Sequence, residues 1–317
     1  MSKVLTLTMN PALEISTSID KVVHTDKLRC TAAKTQPGGG GINVARVLNR
    51  LSPINGGNCI AVYPAGGLNA HLLQQTLDQA GLQTRPVKIL GDTRQAFSVH
   101  ESTTGKDFRF LLPGPTLTES EWQPCIDTIL TLAHAGDTVV ASGSLPSGVP
   151  DNLFATLAIA LKNKGARMVL DSSGTPLKLA LAAGVYLVKP SLRELEEFTG
   201  QSLQTEAQWR AAASSIVQSG QAQIVALSLG DAGALLVTPQ HSFRAPAIPI
   251  EVVTSVGAGD NFVGGFVWAM QNGEPLELCL AYGLASASSA LTNRNESICE
   301  PEAMRRLLPL ARVISEY

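Results

Sequence analysis

Gly257-Ala258-Gly259-Asp260 stand just ahead of an apolar stripe, Phe262, Val263, Phe266, Val267 and Met270, whose spacing is that of a helix. The first N–H groups of a helix have no partner within it and carry the positive end of its dipole, so a glycine turn there can hold phosphate oxygens. A carboxylate on the same turn stands where a base is needed if a hydroxyl is to attack a phosphoryl group bound to those N–H groups. The same four residues also fit a plain tight turn in which Asp260 only caps the helix. Rival motifs fail on inspection. Gly257-x-Gly259 and Gly39-x-Gly41 have Phe262 and Val44 where a dinucleotide fingerprint needs its third glycine. The Gly105-Lys106 pair is followed by Asp107 and not by the Ser or Thr of a phosphate loop, and Ser144 follows Gly143 directly, so there is no G-x-S-x-G.

The elements that must position these residues read as an α/β protein with a mainly parallel sheet. Val4–Thr8 and Cys59–Val62 are expected strands, Ile42–Leu51 and His71–Gln79 expected helices. Thr138–Ala141, Arg167–Leu170, Val185–Val188 and Ile224–Leu229 are apolar strands, each expected to lead through glycine, serine or proline into a helix. Their carboxyl ends carry SGSLPSG (142–148), DSSG (171–174), KPSLRE (189–194) and SLGDAG (228–233), the edge at which open α/β sheets bind ligands. Two stretches, 13–36 and 94–112, interrupt the alternation with short β-like runs, Gln95–Val99 and Phe108–Leu111, joined at Thr103-Thr104-Gly105. They are expected to form a small antiparallel lid on one large domain, 1–317, or a surface for a partner subunit.

Composition sets the class of ligand. The chain has 317 residues, 44% of them hydrophobic and 16% charged, with a net charge of −2, so it can bury a large core and has no basic footprint for nucleic acid. No run of about 18 apolar residues suggests a membrane span, and with no signal-like start the expected location is the cytoplasm. Five scattered cysteines without C-x-x-C spacing read as reduced structural thiols, and the five dispersed histidines make no ligand pair. The ligand is expected to be small.

With the segments in order, the whole chain resembles the ribokinase-like carbohydrate kinases, within them the phosphofructokinase B family of phosphosugar kinases. The matching pieces are NPA (10–12), KLRCTA (27–32), PGGGGINVAR (37–46), PAGG (64–67), TRQ (93–95), SGSLPSG, DSSG, VKPS (188–191), SLGDAGA (228–234) and VGAGD (256–260). The resemblance implies a three-layer α/β/α sandwich and transfer of the γ-phosphate of ATP to a sugar hydroxyl. Fructose 6-phosphate, at its C1 hydroxyl, is the expected acceptor, with tagatose 6-phosphate and fructose 1-phosphate chemistry as close variants. A second class, a sugar-phosphate-binding homologue without turnover, stays open, although a binding protein has no chemical need for Asp260 on the anion turn.

Family roles then fall on particular residues. Asp260 matches the catalytic base, with Gly257, Ala258 and Gly259 on the transferring phosphoryl group. Lys27, Arg29 and Arg94 match cations that face the substrate's own phosphate, while Gly39, Gly40, Asn43, Ser142 and Glu14 match the sugar-binding positions. Lys189, Ser191, Ser228, Gly230, Gly233 and Ser255 fall on the ATP side, and Glu194 and Asp171 are candidates for the water shell of Mg²⁺ brought with ATP; a monovalent cation such as K⁺ is a further candidate cofactor. A homodimer formed through the lid is the implied assembly. Glu14 stands where the family carries aspartate, Ser191 where it carries asparagine, and Asn261 where it carries a small residue.

Overall fold

The computed structural model of the chain describes residues 2–24, 27–52, 58–254, 256–293 and 296–316. In chain order it begins with β1 (Val4–Leu7), β2 (Ala12–Ile19), β3 (Lys34–Gly38), α1 (Gly40–Leu51), β4 (Cys59–Ala65), α2 (Gly67–Gln79) and β5 (Gln83–Lys88). It continues through β6 (Arg94–Glu101), β7 (Asp107–Leu111), α3 (Glu119–Leu132), β8 (Thr138–Ser142), α4 (Leu153–Asn163), β9 (Arg167–Asp171), α5 (Gly174–Ala183) and β10 (Val185–Val188). The remainder is α6 (Leu192–Thr199), α7 (Glu206–Gln218), β11 (Ala222–Ser228), β12 (Ala234–Val237), β13 (Ser242–Ala245), α8 (Ala258–Gln271), α9 (Leu276–Leu291), α10 (Pro301–Leu307) and β14 (Ile314–Glu316). No described helix is long and apolar enough to cross a membrane.

Ten strands form the main sheet in the order β14-β13-β12-β11-β10-β9-β8-β1-β4-β5. From β11 to β5 every pairing is parallel. Alternate residues of each strand feed opposite helix layers, which is why the central strands read as unbroken apolar runs. Val4 and Val140 pack with the layer of α1, α2, α8, α9 and α10. Leu5, Leu7, Val139 and Ala141 pack with α3, α4, α5 and α7. The strand order reverses at β1, which lies between β8 and β4, so a crevice opens at the carboxyl ends of β1 and β8.

One expected crossover is not made. After β11 the chain takes a short 3₁₀ turn at Gly230–Ala232 and returns antiparallel as β12 and β13, where a helix is expected from the strand-then-polar pattern. The run Ala234–Val237 is short, apolar and fully buried, and Gly233, with φ 99°, supplies the left-handed turn that sends it back.

The lid is a second sheet in the order β3-β2-β6-β7. Both outer pairings are antiparallel, but β2 and β6 run parallel, with Ala12 opposite Arg94 and Glu14 opposite Ala96. Two excursions that leave the body at the same place in the same direction meet side by side, so the lid is two antiparallel pairs sewn along a parallel seam.

Helices α1 and α8 carry the residues of the site, and glycine sets their approach. A Cβ on Gly264 would lie 2.6 Å from Cβ and Cγ1 of Val47, a buried β-branched side chain that cannot swing clear. Gly264→Ala is expected to cost about 1–3 kcal/mol by overpacking and to lower Tm by a few degrees in calorimetry; an unchanged Tm would mean that the helices part without cost.

Candidate active site

Helix α8 opens on Gly257, which takes φ 79° and ψ 0°, and no side chain caps that end. The first N–H groups of the helix therefore face outward without an intrahelical partner. Asp260 does not turn back to cap them. Its Oδ2 accepts a 2.9 Å hydrogen bond from Asn43 Nδ2 on α1, which excludes the plain capping alternative. Burial pushes the Asp260 carboxyl above the ordinary aspartate value, against the Asn43 hydrogen bond and the charges of Lys189 and Arg109, while Glu14 adds to the rise. A raised carboxyl binds a proton more strongly, which suits a base.

The residues expected on the sugar side begin with the glycine run. Gly39 takes φ 117°. A Cβ on Gly40 would overlap the Ser142 hydroxyl, one on Gly41 would lie 2.6 Å from Thr8 Oγ1, and one on Gly38 would lie 2.5 Å from Glu14 Cγ. Only glycine lets the chain pass between the ends of β1 and β8 and against β2. Glu14, Lys34, Gln36, His100, Asp107 and Arg109 line a cavity of about 210 Å³ on the lid, closed below by Val256 and Ser297. Burial raises the Glu14 carboxyl, against the pull of Arg109, Arg46 and Arg94. Arg94 is pinned at the root of the lid: Nε and Nη2 donate to the Asn10 carbonyl at 3.3 and 3.2 Å, and Nη1 to the Leu112 carbonyl at 3.4 Å. Lys27 and Arg29 are exposed on the segment between β2 and β3, and a single chain does not bring them into the cavity.

A second cavity, of about 790 Å³, lies on the other side of the α8 turn. Ser191, Ser228, Gly230 and Gly233 line one end, Ile248, Pro249, Ile250 and Leu291 the walls, and Ala258 and Gly259 the floor beside Asp260. An apolar cleft with backbone and hydroxyl groups at one end has the size and character of a nucleotide site. Ser255 lies outside the described residues. Lys189 stands under the turn: its buried Nζ is 3.1 Å from Asp171 Oδ1 and 3.6 Å from where a Cβ on Gly259 would be. Burial works against its charge, but Asp171, Glu194 and Asp260 outweigh it and hold the ammonium above its ordinary value. Burial pushes Asp171 up to about 6 despite Lys189, with Asp260 and Glu194 adding to the rise.

The two acids expected around Mg²⁺ are thus already engaged. Asp171 is paired with Lys189. Glu194 Oε2 accepts the Ser191 N–H at 2.8 Å while the Glu194 N–H donates to Ser191 Oγ at 3.3 Å, closing a capping box on α6. Ser191, standing in place of an amide, therefore works as a helix cap. Among the described residues no group of three or more His, Cys, Asp or Glu could hold a metal. The donor set fits a divalent ion carried by the nucleotide and reached through water, not one in a protein cage.

Three residues belong to the site without a role legible beforehand. Arg109 lines the lid cavity and acts on both Glu14 and Asp260; its place opposite Ser98 in the β6–β7 ladder, on the Glu14 side of the lid, is the signal that could have found it. Arg46, three residues beyond Asn43 on α1, donates to its Oδ1 at 3.2 Å. Asn261 is fully buried. Its Nδ2 donates to the carbonyls of Gly257 and Ser297, both at 2.8 Å, and its Oδ1 accepts the Cys299 N–H at 2.7 Å. The residue that replaces a small one thereby ties the anion turn to the 297–299 segment.

Comparison with known proteins agrees with this geometry. The model of the pfkB family carbohydrate kinases matches residues 6–303. The ATP-dependent 6-phosphofructokinase isozyme 2 of Mycobacterium tuberculosis is 41% identical over 309 residues, 98% of this chain and 90% of that protein. A 1-phosphofructokinase of Xanthomonas campestris is 33% identical over 306 residues, 95% of each chain. Phosphofructokinase-2 from Escherichia coli, solved in complex with substrates and products, superposes with a TM-score of 0.93 at 35% identity, covering 98% of this chain and 99% of that one. Arabidopsis thaliana ribokinase, at 22% identity with a TM-score of 0.75 over 97% of this chain and 99% of its own, shares the fold. End-to-end coverage, the α/β sandwich with its lid and the GAGD turn together show that the chain belongs to the pfkB family of carbohydrate kinases.

Proposed function

We propose that the protein transfers the γ-phosphate of ATP to the C1 hydroxyl of fructose 6-phosphate. The observation that carries this reading is the 2.9 Å bond from Asn43 to Asp260, which sets an acceptor carboxylate in the first turn of α8, with the lid cavity reaching Val256 ahead of that turn and the larger cavity reaching Ala258 and Gly259 in it. Relatives named ATP-dependent 6-phosphofructokinase, matching nearly the whole chain, support the choice of acceptor.

Fructose 6-phosphate then lies under the lid, with its C1 hydroxyl toward Asp260, its other hydroxyls toward Glu14, Asn43 and the Gly39-Gly40 backbone, and its phosphate toward Arg94 and Arg109. ATP lies in the larger cavity, with its γ-phosphate on the N–H groups of Gly257, Ala258 and Gly259 and beside Lys189. Asp260 accepts the hydroxyl proton as the oxygen attacks, and the turn and Lys189 offset the charge on the phosphoryl oxygens. Asp171 and Glu194, each with an oxygen beyond its contact to Lys189 or to the α6 cap, would hold through water a divalent ion brought with ATP, which would supply charge neutralisation at the phosphates. A K⁺ requirement belongs to the same reading, since phosphofructokinase-2 of Escherichia coli has been solved with potassium. The five free thiols suit a cytoplasmic setting.

The reading includes a homodimer through the lid. Phe110 and Leu111 are 55% and 61% exposed, and Val23, Leu28 and Leu112 are exposed as well; a second lid would cover such a face. Lys27 and Arg29 flank Leu28 and would be carried to the same interface.

An ADP-release assay with ATP and Mg²⁺ against free and phosphorylated sugars tests the reaction. Turnover is expected on fructose 6-phosphate, whereas faster turnover on fructose 1-phosphate or tagatose 6-phosphate would reassign the acceptor, and binding without turnover would favour the non-catalytic class. Asp260→Asn keeps the shape but not the base, so kcat should fall by about 10²–10⁴-fold with Tm nearly unchanged; full activity would sink the mechanism. In the wild type the acidic limb of kcat/KM, which reports the free enzyme, should lie above the ordinary aspartate range, because the base must be ionised and burial raises its carboxyl. Arg94→Ala should raise KM for the sugar phosphate far more than KM for ATP, and equal effects on both would remove Arg94 from the sugar side.

A further inference from the structure

Asn43 can support Asp260 in only one of its two amide orientations. With its NH₂ toward the carboxyl it donates and favours the ionised, proton-accepting form. Flipped, it presents a carbonyl, which favours the protonated form and removes the base. The two orientations fill nearly the same space, so packing alone does not choose between them. Arg46 does. It is buried, 8% exposed, on the same helix. Its Nη1 donates to Asn43 Oδ1 and to the Pro37 carbonyl at the end of β3, both at 3.2 Å. A guanidinium has no acceptor, so this contact can be made only to the amide oxygen, and the amide nitrogen is left facing Asp260.

We propose that Arg46 is a positioning residue of phosphoryl transfer, which orients the Asn43 amide so that Asp260 is held as a hydrogen-bond acceptor. The inference deepens the kinase reading and rests on it. Arg46 lines neither cavity and reaches the chemistry through Asn43. Other charged groups act on Asp260 across the site: Lys189 at the end of β10, Arg109 on β7, Glu14 on β2, and Asp171 at the end of β9. Among the described cations, Arg46 is the one joined to it through a hydrogen-bonded amide. A lysine at this position keeps a charge and N–H donors but not the planar, rigid guanidinium whose Nη1 meets both Asn43 Oδ1 and the Pro37 carbonyl.

A double-mutant cycle tests this, with kcat, both KM values and the pH profile measured for wild type, Arg46→Met, Asn43→Ala and the double variant. Arg46→Met is expected to lower kcat about tenfold or more, as loss of a hydrogen bond to a charged group does, while KM for ATP stays within about twofold. The acidic limb should move to higher pH, because a carboxylate that has lost its donor is protonated sooner. In the Asn43→Ala background the same substitution should change kcat by less than about twofold, since the amide it acts through is gone. An undiminished effect in that background, or an acidic limb that does not move, would overturn the inference. If Arg46→Met does not fold, Arg46→Lys is carried through the same cycle, with a smaller loss of kcat and the same dependence on Asn43 expected. Wild-type protein inactive on every sugar phosphate, or Asp260→Asn as active as wild type, sinks the kinase reading itself; an active wild type, an inactive Asp260→Asn and an Arg46 effect independent of Asn43 sink this inference alone.

Discussion

A carboxylate that is to take a proton has to be ionised, yet the exclusion of water that protects phosphoryl transfer from hydrolysis favours its neutral form. Asp260 stands at that conflict, raised by burial and held back by Asn43, Lys189 and Arg109. These counterweights come from α1, from the end of a central strand and from the lid. The fold must therefore bring three separate parts of the chain to the mouth of one helix. The parallel sheet does this by ending β1, β8, β9 and β10 along one edge, and Gly264 of α8 lets α1 approach closely enough for an amide to reach the carboxylate.

Charge around Lys189 is economical in the same way. Asp171, Glu194 and Asp260 all act on the one ammonium of Lys189, an arrangement that leaves the region short of positive charge until a ligand brings its own. Glu194 gives one oxygen to the α6 cap, and Asp171 is drawn onto Lys189 by geometry more than by a favourable environment, since burial still pushes its carboxyl up. A buried pair of this kind contributes less to stability than its 3.1 Å separation suggests; what it does is keep the ammonium in place under the anion turn.

What the sequence makes legible is local. A glycine turn ahead of a 3.6-residue stripe identifies the start of α8, and polar clusters after apolar runs identify the ligand edge; element ends are displaced by a few residues, as where the helix expected from Ile42 starts at Gly40. Pairings between distant segments are not legible. The parallel seam of the lid, the hairpin after β11 and the bonds from Asn261 to the 297–299 segment all depend on chain segments meeting in space, and no spacing rule encodes that. Asp171 and Lys189 are intermediate: each ends or follows a strand, and once β9 and β10 are neighbours their side chains must be too, so reading the strand ends as a row and not singly would have shown the ion pair. Arg46 lies inside a legible motif, but its part depends on which atom of an amide it meets, a matter of ångströms.

The glycine run has a consequence for how this site can evolve. At Gly38, Gly39, Gly40 and Gly41 an added methyl group would run into Glu14, Thr8 or Ser142, so this stretch admits little variation that keeps the backbone in place. On the proposed reading, divergence toward another ketohexose phosphate falls to the lid, where Glu14, Arg109 and His100 line the cavity. The longer carboxylate at position 14 already lies on that surface: on the proposed reading the scaffold holds the reaction constant while the cover sets the choice of sugar.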